Sequence, residues 1–183
     1  MDTLDINFFN NNTVKVAKSL LGHSLLFKKN NILTGGIINE VEAYTQNDPA
    51  SHSYIGKTNR NKAMFESYGT IYIYKIYGMY TCINIVTEQK DKGCAVLIRS
   101  IIPTHNINEI KINRNNKKHL TNGPAKITQA LDIPFELNGK IINKSNLLIS
   151  KNKIKPKNII STPRIGISKA INKKWRFYFN LLI

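Results

Sequence analysis

Two acids stand two positions apart in Ile37-Ile38-Asn39-Glu40-Val41-Glu42-Ala43-Tyr44, within a chain of 183 residues that has 11 Asp and Glu against 27 Lys and Arg. Alternate side chains of an extended strand share a face, so Ile38, Glu40, Glu42 and Tyr44 fall together if this strand runs straight. A carboxylate placed there can act as a general base in a cleft, taking a proton from water. Both can equally be solvated, or paired with Lys or Arg, as strand acids commonly are. Arg99 poses the same choice. It is the one charge in the apolar run of residues 94–102. A guanidinium there pairs with a carboxylate or points into a polar cavity, and a purely structural ion pair is as good a reading as a catalytic one. His52 closes the turn-rich segment Asn47-Asp48-Pro49-Ala50-Ser51-His52. No second His, Cys and acid accompany it at ligand spacing, so no metal is expected.

The second feature that could do chemistry is residues 70–84, T-I-Y-I-Y-K-I-Y-G-M-Y-T-C-I-N. Ile71, Ile73 and Lys75 alternate with Thr70, Tyr72, Tyr74 and Ile76. Tyr77-Gly78-Met79-Tyr80 interrupts the pattern, and a second β-rich stretch follows. Gly78 admits the positive φ that a tight hairpin needs. The tip then presents Tyr77, Met79 and Tyr80, which is unfavourable in water unless a partner covers it. On a chain with formal net charge +16, stacked nucleic-acid bases are the natural cover. Lys, Asn and Ile richness from base-composition bias explains part of this charge, but not the scarcity of acids.

The elements that position these residues follow from spacing. Residues 10–13 cap a helix whose Val14, Ala17, Leu20 and Leu21 recur at helical period, with Gly22 as its stop. Residues 24–27 form a strand, Lys29-Asn30-Asn31 a turn, and Ile32 starts the returning strand that carries the two acids. Residues 58–65 read as a short capped helix with Ala63, Met64 and Phe65 inward. Residues 94–102 are a buried strand. Residues 103–118 fit helix or loop equally. Pro124 opens a helix through Ile127, Ala130 and Leu131, residues 134–157 are weakly patterned, and Arg164-Ile165-Gly166-Ile167 and residues 175–179 read as closing strands. One domain over residues 1–183 is expected. Cys82 and Cys94 suit buried thiols rather than a disulfide scaffold. The amino end lacks the basic and apolar regions of a secretory leader, and no apolar run is long enough to span a bilayer. A cytoplasmic, nucleoid-associated protein is expected.

The residues then resemble one family in order. Val16-Ala17-Lys18-Ser19-Leu20-Leu21-Gly22, Glu40-Val41-Glu42-Ala43-Tyr44, Asp48-Pro49-Ala50-Ser51-His52, Arg60-Asn61, Met64-Phe65, Tyr72-Ile73-Tyr74, Tyr77-Gly78-Met79-Tyr80, Asn84, Leu97-Ile98-Arg99, Gly123-Pro124-Ala125-Lys126, Arg164-Ile165-Gly166 and Trp175-Arg176-Phe177-Tyr178 succeed one another as in the 3-methyladenine (alkyladenine) DNA glycosylases. Coverage runs from about Phe8 to Phe179. Val41 stands where the family's E-T-E-A-Y strand has Thr, which is expected to be silent. Residues 101–120 diverge, so no site residue is taken from them.

The resemblance implies an α+β fold: a single compact domain with a curved, mostly antiparallel sheet, surrounding helices and a protruding hairpin. It implies a monomeric, cofactor-free enzyme that turns a damaged purine out of duplex DNA and hydrolyses its N-glycosidic bond. Glu42 is then the general base and Arg99 holds it and the water. Tyr44 faces Tyr74 and His52 across the base, Tyr72 holds the His52 ring, and Asn84 crowds the 2-amino group of guanine. Tyr77, with Met79, fills the gap left in the duplex. The runner-up is a non-catalytic basic RNA-binding module, which gives Glu42, Arg99 and Asn84 no common purpose. A third reading is an enzyme acting on a small molecule, basic only by composition.

Overall fold

The computed structural model describes residues 2–151 and 154–180. Its organising element is β2, Ile32–Tyr44, the strand that carries Glu40 and Glu42. β1 (Ser24–Lys29) returns onto it through the Asn30-Asn31 turn, both residues of which have positive φ. β3 (Ile71–Ile76), β4 (Tyr80–Val86) and β5 (Ala95–His105) continue the sheet on one side, and β6 (Leu147–Ser150) ends it beyond β1. β7 (Ile160–Thr162) pairs with β8 (Arg176–Tyr178), and β8 pairs with β2. Every pairing among these strands is antiparallel, and the sheet curls as expected for an α+β fold.

The curl has a local cause. The β2–β5 register shifts at Gly35/Gly36, Ile38/Glu40 and Glu40/Val41. Extra residues in one strand bend it and sharpen its twist. At this bend β2 changes neighbours. β1 is its partner up to Ile37, and β8 takes over from Glu40 to Glu42. The acids therefore sit where three strands meet, with Glu40 opposite both Ser100 and Tyr178.

Three helices cover the sheet among the described residues. α1, Thr13–Leu20, begins at Asn12, whose side chain accepts from the Val14 and Lys15 N–H groups, and buries Thr13, Val16, Ala17 and Leu20. α2, Ile107–Asn113, and α3, Pro124–Ala130, pack together, with α3 also against β4 and β5. The main core joins α1 to the inner face of the sheet through residues such as Leu20, Ile38, Val41, Ile73 and Ile98. A smaller cluster of Met64, Phe65, Tyr72, Val86 and Ala95 has Tyr44 and Tyr74 packed against it. None of the helices is long and apolar enough to cross a membrane.

Three sequence readings change. Residues 58–65 are helical only as the 3₁₀ turn Lys62–Phe65. The Asn61 side chain is drawn away instead, donating to the carbonyls of His52 and Gly56 and accepting from Thr58 N–H. Residues 103–118 divide into the end of β5 and α2. Residues 164–167 are not a strand. β7 stops before Pro163, which lacks the N–H a ladder requires. The next residues turn inward, as described below. The 70–84 hairpin forms with Ile76 opposite Tyr80 and a Tyr77-Gly78-Met79 tip, where Gly78 has φ +73°.

Gly36 lies so close to β5 that an added Cβ would enter the Ile102 carbonyl and Pro103 backbone. Neither is a flexible side-chain end. Gly36→Ala is expected to lower the unfolding free energy by about 1–3 kcal/mol, as overpacking of a closed interior does. Urea denaturation measures it, with the loss showing as a lower midpoint at unchanged slope.

Candidate active site

The outer face of the sheet, the 49–61 loop and the 165–167 loop enclose a cleft of about 500 Å³. It is lined by Glu42, Arg99, Tyr44, His52, Tyr72, Tyr74, Asn84 and Tyr77, eight of the nine residues to which the family resemblance gave a role. Met79 does not line it. It stands at the hairpin tip, 73% exposed, beside Tyr77 at 90%. Tyr77 has φ +49°, a left-handed conformation that costs a non-glycine residue about 1 kcal/mol.

Glu42 is wholly buried. Its Oε2 accepts from the Tyr44 hydroxyl at 2.7 Å, and its Oε1 from the Ile165 backbone N–H at 2.8 Å. Arg99 Nε lies 3.4 Å from the same Oε1. A carboxylate has about four lone-pair sites, so these donors orient the group and leave acceptor capacity toward the cleft.

Arg99 is closer to the other acid. Its Nε donates to Glu40 Oε1 at 2.8 Å, and Arg176 Nε donates to that oxygen at 2.6 Å. Glu40 is half-buried and paired: it is the anion shared by two guanidinium groups, one of which reaches Glu42. Burial pushes the Glu40 carboxyl up, but the hydrogen bonds from Arg176 and Arg99 outweigh it and hold the group below its ordinary value. Desolvation also opposes the charge of Arg99, and the neighbouring Glu42 and Glu40 more than restore it.

The aromatic residues form a graded wall. Tyr72 is buried, and its hydroxyl shares a 2.9 Å hydrogen bond with His52 Nδ1. The His52 ring meets Tyr74 edge to face, with centroids 4.5 Å apart. Tyr72 and Tyr74 lie 5.7 Å apart at a tilt of 34°. Burial pushes the Tyr72 phenol up to about 12, and burial also raises those of Tyr44 and Tyr74. All three are neutral near pH 7. Crowding by these neighbours, and then the charge of Arg60, lowers the His52 pKa. His52 is exposed as a residue, so water moderates the effect, but its direction favours the neutral imidazole at pH 7. Asn84 is buried opposite Tyr72 in the ladder and donates from Nδ2 to the Tyr72 carbonyl at 3.1 Å.

Sequence reasoning missed the support behind Tyr44. Arg164 is fully buried, donates to the Ala43 carbonyl at 2.9 Å and pairs with the equally buried Asp48. Its guanidinium packs against Tyr44, 4.5 Å from the ring centroid, and Trp175, at 5.4 Å. Lys173 Nζ is 3.7 Å from Asp48. Reading residues 164–167 as a strand hid this, because only a loop lets Arg164 and the Ile165 N–H serve the same strand. The available signal was Asp48, a scarce acid given turn chemistry and no partner. Cys82 lies under the wall, its thiol pushed up to about 11 by burial, and Cys94 is buried too. Both are packing groups rather than reactive thiols.

The Glu40 ion pairs carry a pH signature. Because the folded carboxyl sits below its ordinary pKa, its stabilisation is complete above the ordinary Glu range and is lost as pH falls through the folded value. Wild-type unfolding free energy is expected to decline below about pH 4.5. Glu40→Gln is expected to remove part of that decline, measured by denaturant unfolding across the acid range. An unchanged slope would count against the coupling.

A family model described as methylpurine-DNA glycosylase matches residues 7–181. A protein of Methanoculleus marisnigri is 42% identical over 182 residues, covering 96% of this chain and 94% of its own. One from Francisella tularensis is 45% identical over 172 residues, covering 91% and 89%. One from Clostridium novyi is 41% identical over 193 residues, covering 97% and 95%. All three are provisionally named 3-methyladenine DNA glycosylases. These matches replace the RNA-binding alternative with an enzyme that acts on DNA and hydrolyses N-glycosyl bonds: the chain belongs to the methylpurine-DNA glycosylase family.

Proposed function

We propose that this glycosylase removes 3-methyladenine from duplex DNA and that its cleft also takes other damaged purines, among them 7-methylguanine, hypoxanthine and ethenoadenine. The relatives' names support the first substrate. The observation that carries the mechanism is the buried Glu42 carboxylate, fixed by Tyr44, Ile165 and Arg99 on the wall of an aromatic cleft.

In this reading the lesion is swung out of the stack into the cleft. Its ring lies between Tyr44 on one side and Tyr74 with His52 on the other. Tyr72 holds the imidazole in place, and neutral His52 adds no repulsion toward a cationic alkylpurine. The His52 backbone N–H meets the 6-position of the base, which disfavours the amino group of normal adenine. Asn84, its amide tied to Tyr72, crowds the 2-amino group of guanine, and an unpaired or clashing donor there is enough to reject it. Tyr77 and Met79, already exposed at the tip, wedge into the vacated stack from the minor groove.

Glu42 orients a water toward C1′ and takes its proton as the C–N bond breaks. Its charge also favours the oxocarbenium-like sugar. The electron pair of the broken bond goes to the base, so a cationic alkylpurine leaves neutral, whereas hypoxanthine must gain a proton. Arg99 keeps Glu42 and the water in register. No Lys nucleophile is invoked, so the product is an intact strand with an abasic site. The enzyme acts as a monomer without cofactor.

Glu42→Gln keeps the shape of the carboxylate and loses the base. It is expected to bind a duplex with one 3-methyladenine yet release free base at least about 100-fold more slowly, a typical contribution of general-base catalysis. Chromatography of released base measures this, and retained turnover would remove Glu42 from the role. Tyr77→Ser is expected to weaken binding to damaged duplex with little change in thermal stability, because the side chain touches solvent in the free protein. Unchanged binding and release would make the hairpin tip structural.

A further inference from the structure

Tyr44 lines the cleft, whereas the wholly buried Arg164 packed on its ring does not. Arg164 therefore covers the face of Tyr44 turned away from the cleft. Its Nη1 serves the Ala43 carbonyl and Asp48, while Nε and Nη2 are buried without a hydrogen bond, enclosed between the Tyr44 and Trp175 rings. Asp48 lies on the Nη1 side and is shared with Lys173. The ion pair thus presents its positive end to Tyr44. From these contacts we infer that Arg164 is a specificity-determining residue, holding positive charge behind Tyr44 so that a cationic base is bound less tightly and expelled faster than it otherwise would be. This rests on the reading above that the base stacks on Tyr44.

An aromatic face attracts cations through its quadrupole. A guanidinium on one face draws electron density toward itself and leaves the other face less attractive. A cationic base stacked on Tyr44 would lie about 8 Å from the guanidinium, given the contact distance of stacked atoms. The path between them runs through protein rather than water, so screening is weak. A neutral base feels little of this.

The sign of the effect changes along the reaction. While the glycosidic bond is intact, the alkylated purine is positive and is repelled. As the bond breaks, its electron pair quenches the charge on the base and positive charge moves to the sugar, beside Glu42. The repulsion is therefore strongest in the bound substrate and relieved toward the transition state. Removing such ground-state destabilisation lowers the half-saturating concentration and the saturated rate together.

Arg164→Met alone would strand the buried Asp48 carboxylate, so the test uses the neutral pair Arg164→Met/Asp48→Asn, with Arg164→Gln/Asp48→Asn as a second version able to rebuild a side-chain hydrogen bond. Arg164→Lys keeps the charge. Folding of each is verified by thermal melting. Single-turnover release is then measured against enzyme concentration, on a duplex bearing 3-methyladenine, cationic in DNA, and on one bearing neutral hypoxanthine. For 3-methyladenine, a folded neutral pair is expected to lower the half-saturating concentration by about three- to tenfold, the range of one partly buried cation–π contact. Its saturated rate is expected to fall as well. Hypoxanthine is expected to show no tightening, and Arg164→Lys to keep the wild-type 3-methyladenine behaviour. A half-saturating concentration for 3-methyladenine that is unchanged or higher in the neutral pair overturns the inference. Equal tightening for both bases, or an Arg164→Lys that behaves like the neutral pair, also overturns it. Wild-type protein that releases no base from either duplex defeats the functional reading instead.

Discussion

A carboxylate with no exposed surface must be supplied with donors, and the supply to Glu42 dictates much of the surrounding architecture. One donor comes from its own strand, two positions on, as the Tyr44 hydroxyl. One comes from β5, as Arg99. One comes from the loop after β7, as a backbone N–H. An unpaired buried charge costs several kcal/mol, so these elements cannot drift apart without losing the fold as well as the site. The bulge at Glu40 and the passage from β1 to β8 along β2 are the backbone's way of bringing them within reach.

The same constraint runs outward from Glu42. Arg176, Glu40, Arg99 and Glu42 alternate in sign through one chain of ion pairs, and Lys173, Asp48 and Arg164 through a second. In a chain with +16 net charge, these three acids are held by cations instead of being spread over the surface. The excess of Lys and Arg elsewhere is then free to meet a polyanion, as duplex DNA requires. The paired acids of the cleft and the excess of cations elsewhere are thus separate uses of charge in this molecule.

The legible part of the fold was the local part. Helical spacing marked α1, the Asn pair marked the β1–β2 turn, and alternation with a glycine marked the hairpin. The candidate cleft was legible through order: Glu42, Tyr44, His52, Tyr72, Tyr74, Asn84 and Arg99 are far apart in sequence, and only their resemblance to a family placed them together. What periodicity could not give were interactions set by loops. It could not separate Glu40 from Glu42, because both point to the same side and the difference lies in which cations reach each. It could not find Arg164, because Pro163 breaks a pattern that otherwise reads as strand. Nor could it split residues 103–118, where a β end and a short helix share Asn- and Ile-rich sequence.

The handover of β2 from one neighbour to another also sets an order of events during synthesis. Glu40 waits for Arg176, 136 residues downstream, Glu42 for Ile165, 123 downstream, and Asp48 for Arg164, 116 downstream. A nascent chain can close the β1–β2 and β3–β4 hairpins early, yet its acids lack these distal partners until most of the polypeptide has left the ribosome. Long-range closure of this kind is slow relative to local pairing. Translation thus presents Glu40, Glu42 and Asp48 well before the partners that complete their pairing, and the network closes only when β8 delivers Arg176 to Glu40.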